Sequence, residues 1–232
     1  MIPGLKPFYK EMKFALLSVQ LMHREDIDQV TEIDRKAFPS MWPPVNYHHE
    51  LENPLAHYVV AADEERIEES EVNVAPQKGL PWIASKMRRL FGSERTFNSE
   101  TPPLSRQYIA GFAGSWVMAG EAHIISLAVR DTLYRRGIGE LLLIATIDLT
   151  AQLKAYIVTL EVRASNTAAI SLYRKYSFTQ VGLRRGYYIE NKEDAILMST
   201  EDITSASFQA HLQQLKESHS QKWEIPLYQI TR

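Results

Sequence analysis

Three short stretches of the sequence bring together residue types able to do chemistry. The first is Tyr134-Arg135-Arg136-Gly137-Ile138-Gly139-Glu140, between a strand-like and a helix-like segment. Glycines there let the chain turn tightly, so successive backbone N–H groups face an anion at a helix N-terminus. The adjacent arginines add charge-assisted contacts to phosphate. A glycine-containing turn with surface arginines would look the same. The second stretch is the apolar run YIVTLEV at 156–162, which holds Glu161. A buried carboxylate is costly unless it is paired or its pKa rises, which makes Glu161 a candidate general base. The plainer readings are a Glu on a solvent-facing strand edge or a partner of Arg163. The third is Ser165-Asn166, followed by a helix that carries Tyr173. Asn166 is also a good helix cap, and Tyr173 also reads as a core aromatic.

Other candidates carry less. The seven His show no metal-ligand spacing, and His48, His49 and the isolated His123 read as ordinary polar residues. Arg184-Arg185 with Tyr187-Tyr188 reads either as a peptide- or acid-binding segment or as a solvated strand end. No G-x-S-x-G, P-loop lysine or zinc pattern is present. The absence of Cys excludes disulfides, thiolate metal sites and a Cys nucleophile. A net charge of −2 argues against a nucleic-acid binder driven by bulk charge. With 232 residues, 45% of them hydrophobic, the chain is long enough to bury a sizeable core.

The elements that must position these residues alternate. The segment 14–22 reads as a strand, although Lys6, Lys10 and Lys13 before it imitate a signal peptide. Gln20 interrupts its apolar run and no A-x-A-like cleavage site follows. A helix is expected over 25–38, with Ile27, Val30, Ile33, Ala37 and Phe38 on one face, then a short helix at 46–52 and a strand at 57–62. Residues 63–107 read as an insertion, with 63–71 strongly acidic, mobile and solvated. Within it, 80–91 suits a short amphipathic helix. That helix either docks on its own domain or makes peripheral contact with a membrane or acidic assembly.

From 108 on, strands are expected at 108–118, 122–130, 156–162, 178–184 and 194–200, and helices at 136–153 and 167–176. A polar, weakly amphipathic helix begins the extension 201–232. The pattern implies one α/β domain over 1–232, with partly parallel pairing. No apolar run is long enough to span a membrane, and a cytoplasmic location is expected.

VRDTLYRRGIGELLL (129–143) is similar to the acetyl-CoA-binding motif of GNAT acetyltransferases. LEVRASNTAAISLYRKYSF (160–178), VGLRRGYYIENKEDAILM (181–198) and AFPSMW (37–42) resemble the RimI-type ribosomal-protein alanine N-acetyltransferases. The resemblance covers 14–62 and 108–200. It implies the GNAT fold: a mixed, mostly antiparallel sheet with a splayed parallel strand pair and helices on both faces. It also implies acetyl transfer from acetyl-CoA, without a metal, to the N-terminal α-amine of a protein, a ribosomal protein's alanine in particular.

By the same resemblance, backbone of Leu127, Ala128 and Val129 pairs with the pantetheine arm. Arg135, Arg136, Gly137, Ile138, Gly139 and Glu140 cradle the pyrophosphate. Asn166 contacts the cofactor near its thiol end, Glu161 is the base and Tyr173 the acid. The peptide enters between the loop at 39–47 and the segment 184–192. The sequence departs from the family pattern at Tyr134 (usually Gln or Arg), Asp131 (often Pro) and Ser177 (usually Gly).

Overall fold

The computed structural model describes residues 17–39, 43–68 and 106–225. Its strands are β1 (Leu17–Leu21), β2 (Ala56–Glu68), β3 (Arg106–Met118), β4 (Glu121–Val129), β5 (Ile157–Arg163), β6 (Thr179–Tyr188) and β7 (Glu193–Ser199). Its helices are α1 (Ile27–Ala37), α2 (Tyr47–Glu50), α3 (Ile138–Gln152), α4 (Thr167–Lys175) and α5 (Ala206–Trp223). Single 3-10 turns lie at Arg24–Asp26 and Asp131–Leu133. The strands form one sheet in the order β1-β2-β3-β4-β5-β7-β6. Every pair is antiparallel except β4 with β5.

Alternation along the strands gives the sheet two apolar faces. Tyr58, Val60, Ala62 and Phe112 pack under Val30 and Ile33 of α1 and Tyr47 of α2. Val59, Ala61, Ala110 and Ala113 pack under α3 on the opposite face. The sequence marks one apolar face of α3, through Ile138, Leu141, Leu142, Ala145 and Leu149. The helix also buries Leu143, Ile144 and Ile147. A helix buried on nearly every side needs a second cover. That cover is α5, whose Phe208 and Leu212 join the cluster around Ile144 and Ile147.

Two expectations change. Asp63 to Glu68 is strand rather than loop: β2 runs to Glu68, and Glu68 pairs with Arg106. Backbone pairing carried past the core leaves no apolar alternation to read, so acidic composition there imitates a loop. On the far side of the expected insertion, β3 begins at Arg106 rather than at 108. Residues 69–71, the segment 80–91, the stretch before Leu17 and Ser40 to Trp42 lie outside the described residues.

Candidate active site

The parallel pairing of β4 with β5 covers only four residues a side, from Glu121 with Ile157 to Ile124 with Leu160. Beyond it the two strands part. β4 stays with β3, and Leu127, Ala128 and Val129 pair with Ala113, Phe112 and Gly111. β5 stays with β7, and Glu161 pairs with Leu197. The register of β3 with β4 skips Ile125, so a bulge falls where the strands separate. A bulge bends its strand and re-aims its neighbours. The result is a V-shaped opening whose β4 edge has free backbone groups facing β5.

Glu161 is the first β5 residue beyond the last parallel pair. Val158, Leu160 and Val162 face α3 and α4, so Thr159 and Glu161 face the α1 side of the sheet. The Glu161 side chain is 10% exposed and doubly held. Its Oε2 lies 2.7 Å from His123 Nε2, and its Oε1 lies 3.0 Å from an Arg184 guanidinium nitrogen. His123 Nδ1 meets Thr159 Oγ1 at 2.9 Å. Arg163 is not the partner. It turns instead to Glu190 and Glu193, with its guanidinium 3.7 Å above the Tyr188 ring.

His123 therefore is more than an ordinary polar residue. The signal available in sequence was its place on a strand bound for parallel pairing, which sets it across from Thr159 and beside Glu161. Arg184, with its alternative reading as a solvated strand end, instead closes the other side of the carboxylate.

Tyr173 is in the core, 8% exposed, its ring 5.7 Å from that of Phe178. Burial, then the nearby Tyr188 phenol, pushes its pKa up to about 12. Burial also raises Tyr188, and the Glu161 charge adds to that rise. Tyr188 thus lies within electrostatic reach of both Glu161, whose side chain faces the α1 side of the sheet, and Tyr173 of α4 on the other face.

Asn166 caps α4, accepting from the Ala169 N–H at 3.1 Å. The loop before it is pinned by Glu193, whose Oε1 accepts the Ser165 N–H at 2.8 Å. The capping role is therefore real.

The anion turn differs from the starts of α2, α4 and α5, while α1, like α3, has no side-chain cap. α4 and α5 begin with side-chain caps from Asn166 and Ser205. α3 begins at Gly137, in left-handed backbone (φ 80°) and without a side-chain cap. The first N–H groups of a helix have no partner within it, so those of Ile138, Gly139 and Glu140 are left for an incoming anion. Arg135 also has positive φ (63°). A Cβ on Gly139 would make ordinary contact with the Val129 and Leu127 side chains, at 3.7 and 3.8 Å, so the turn lies beside β4 and tolerates a side chain there. These features fit a pyrophosphate.

The Glu140 carboxylate does not face that anion. It accepts from Lys175 Nζ and, at 2.7 Å, from Tyr176 Oη. Burial opposes its charge, but these hydrogen bonds outweigh burial and hold its pKa below the usual carboxylate range. Tyr134 is 56% exposed and leaves the backbone turn unobstructed.

A sheet opened between its one parallel pair, with an uncapped helix start beside the opening, defines the GNAT acetyltransferase class. Residues 81–178 match the acetyltransferase (GNAT) family. The chain is 30% identical over 182 residues to a candidate ribosomal protein bS18-alanine N-acetyltransferase of Bacillus subtilis, covering 78% of this chain and 93% of that protein. It is 37% identical over 124 residues to the ribosomal protein bS18-alanine N-acetyltransferase of Salmonella typhimurium, covering 52% of this chain and 80% of that protein. An N-alpha-acetyltransferase of the archaeon Sulfurisphaera tokodaii is 31% identical over 75% of this chain and 86% of its own length. The chain belongs to the GNAT family of acetyltransferases.

Solved structures share the fold. The ribosomal-protein-S18-alanine N-acetyltransferase of Escherichia coli superposes with a TM-score of 0.55 at 20% identity, over 82% of this chain and 97% of that one. Arabidopsis thaliana NAA60 in complex with acetyl-CoA gives 0.57 at 17%, over 80% and 98%. Among the described residues, no helix is long and apolar enough to cross a membrane.

Proposed function

We propose that this enzyme acetylates the N-terminal α-amine of a ribosomal protein whose first residue is alanine, with acetyl-CoA as donor, in the cytoplasm. The observation that carries the reading is the Glu161 carboxylate, fixed by His123 and Arg184 at the point where β4 and β5 part. The names of the bacterial relatives support the substrate.

Acetyl-CoA supplies the activated acyl group as a thioester. The N–H groups of Ile138, Gly139 and Glu140, with Arg135 and Arg136, hold its pyrophosphate. The free edge of Leu127, Ala128 and Val129 aligns the pantetheine arm, and Asn166 faces the thiol end. An α-amino group has a pKa of about 7.7–8.0, so part of it is protonated near neutrality. Glu161, paired with His123, takes the amine's proton as nitrogen bonds to the acyl carbon. Arg184 holds the other carboxylate oxygen, at 3.0 Å, and so fixes the direction in which Glu161 points. A β4 backbone N–H at the bulge polarises the carbonyl.

As the C–S bond breaks, Tyr173 supplies the hydrogen bond to sulfur. Its proton is in place throughout the neutral range because its pKa is about 12. From there it passes to the departing thiolate. The direct reaction needs no covalent enzyme intermediate. The peptide approaches between the 39–47 loop and the 184–192 segment, where Tyr187 and Tyr188 stack edge to face.

The test is the mass of ribosomal protein bS18 from cells lacking this gene. It should be one acetyl group lighter than wild type, and restored by the intact gene but not by the Glu161→Gln variant. An unchanged mass overturns the substrate assignment.

A further inference from the structure

The C-terminal helix does not extend the sheet, yet it ends on the anion turn. α5 is anchored along its length by Phe208 and Leu212 in the core and by Lys216 Nζ at 2.6 Å from Asp148 Oδ1. Its last turns then reach Gly137. His219 is 3% exposed, and its Nε2 lies 2.9 Å from Gly137 O, which also accepts the Leu141 N–H at 2.9 Å. Burial lowers the His219 pKa, which favours the neutral ring and an Nε2–H that donates to this carbonyl.

The Trp223 indole covers the same residue. A Cβ on Gly137 would fall 2.5 Å from Trp223 Nε1 and 2.6 and 2.7 Å from two ring carbons. Past the helix, Ile225 is buried beside Ile138 and Leu141. Trp223 Nε1 is itself buried and has no hydrogen-bond partner among the described residues. A buried donor left unpaired is costly, so the indole is not placed there to satisfy its own polarity. Its flat face against Gly137 leaves no room for another conformation of that turn.

We propose that His219 and Trp223 are positioning residues for the acyl donor: they hold the Gly137 peptide so that the α3 N–H groups stay aimed at the pyrophosphate. This rests on the reading of Arg135 to Glu140 as the pyrophosphate cradle. The C-terminal extension is then part of the cofactor site and not an appendage. Its effect is confined to donors that carry a pyrophosphate.

The experiment compares acetyl-CoA with S-acetylpantetheine, which has the same thioester and arm but no pyrophosphate. Full-length Trp223→Ala, Trp223→Phe, His219→Phe and Gly139→Asp are measured for coenzyme A affinity by calorimetry, thermal midpoint, and kcat and KM with each donor. Trp223→Ala and His219→Phe should each weaken coenzyme A binding about tenfold or more and leave the rate with S-acetylpantetheine unchanged. Trp223→Phe, which keeps a flat ring, should restore most of the affinity. Equal losses with both donors would mean that α5 only supports the fold, and would overturn the proposal. Normal affinity in Trp223→Ala and His219→Phe, with Gly139→Asp impaired, overturns it while the cradle stands. Normal affinity in all of them overturns the cradle itself.

Discussion

His123 and Glu161 sit on the two strands of the parallel pair and meet at 2.7 Å, with Glu161 one residue beyond the last paired position. The ladder thus brings the imidazole and the carboxylate together and then opens to expose them. Glu161→Gln should lower kcat by about 10²–10⁴, most severely at low pH where the substrate amine is protonated, with coenzyme A affinity unchanged. His123→Gln should lower it less. The double variant should be little slower than Glu161→Gln alone, because groups that act as a unit are not additive. Additive losses in a pre-steady-state cycle would show that they act independently.

Gly139 is the cleaner probe of the anion turn, since a side chain at Gly137 would strike Trp223. Gly139→Asp places a carboxylate in the first turn of α3, where its Cβ makes ordinary contact with Val129 and Leu127 and meets no clash. It should favour the helix by about 0.3–1 kcal/mol through the dipole while repelling a pyrophosphate. Calorimetry should show weakened coenzyme A binding with the thermal midpoint unchanged or raised. Undiminished affinity would remove the turn from the cofactor site.

Tyr173→Phe removes one hydroxyl from a buried ring that already packs on Phe178. Turnover should fall with little change in coenzyme A affinity. The rate of wild type should show no loss tied to Tyr173 ionisation below pH 10, because its proton is retained to about pH 12. A wild-type rate in Tyr173→Phe, under conditions where chemistry limits, would leave the ring a purely structural role.

Much of this was legible in the residues. Glu161 stands out because a carboxylate interrupts an apolar strand, and the RRGIGE turn because glycines precede a helix. Asn166 was legible as a cap. His123 was not, since its meaning comes from the register of two strands whose paired residues lie 36 positions apart, His123 opposite Thr159, a relationship no local pattern carries. The strand at Asp63 to Glu68 was hidden for a different reason: its acidic composition reads as loop, while pairing is a backbone property. The contact of His219 and Trp223 with Gly137 was hidden because α5 looks polar. Only the surplus apolar residues of α3 (Leu143, Ile144 and Ile147) betray the need for its cover.

Ser177 shows what a departure from the family pattern costs. It has φ 64°, just past the end of α4, at a position where the family resemblance leads one to expect Gly. Left-handed backbone costs a side-chain-bearing residue about 1–2 kcal/mol, partly offset by the extra freedom of an unfolded glycine. Ser177→Gly should therefore raise stability by roughly 0.5–1 kcal/mol, seen as a higher denaturant midpoint at constant slope. A lower midpoint would assign the Ser177 side chain a contact of its own.

The reaction is tested most directly on one peptide with a free N-terminal alanine and an internal lysine. It is incubated with acetyl-CoA and the full-length enzyme, and the acetyl group is located by tandem mass spectrometry. A single acetyl group on the alanine α-amine, absent with Glu161→Gln, is the expected result. Acetylation of the lysine with the α-amine left free, or no transfer by an enzyme that binds acetyl-CoA, would contradict N-terminal acetylation.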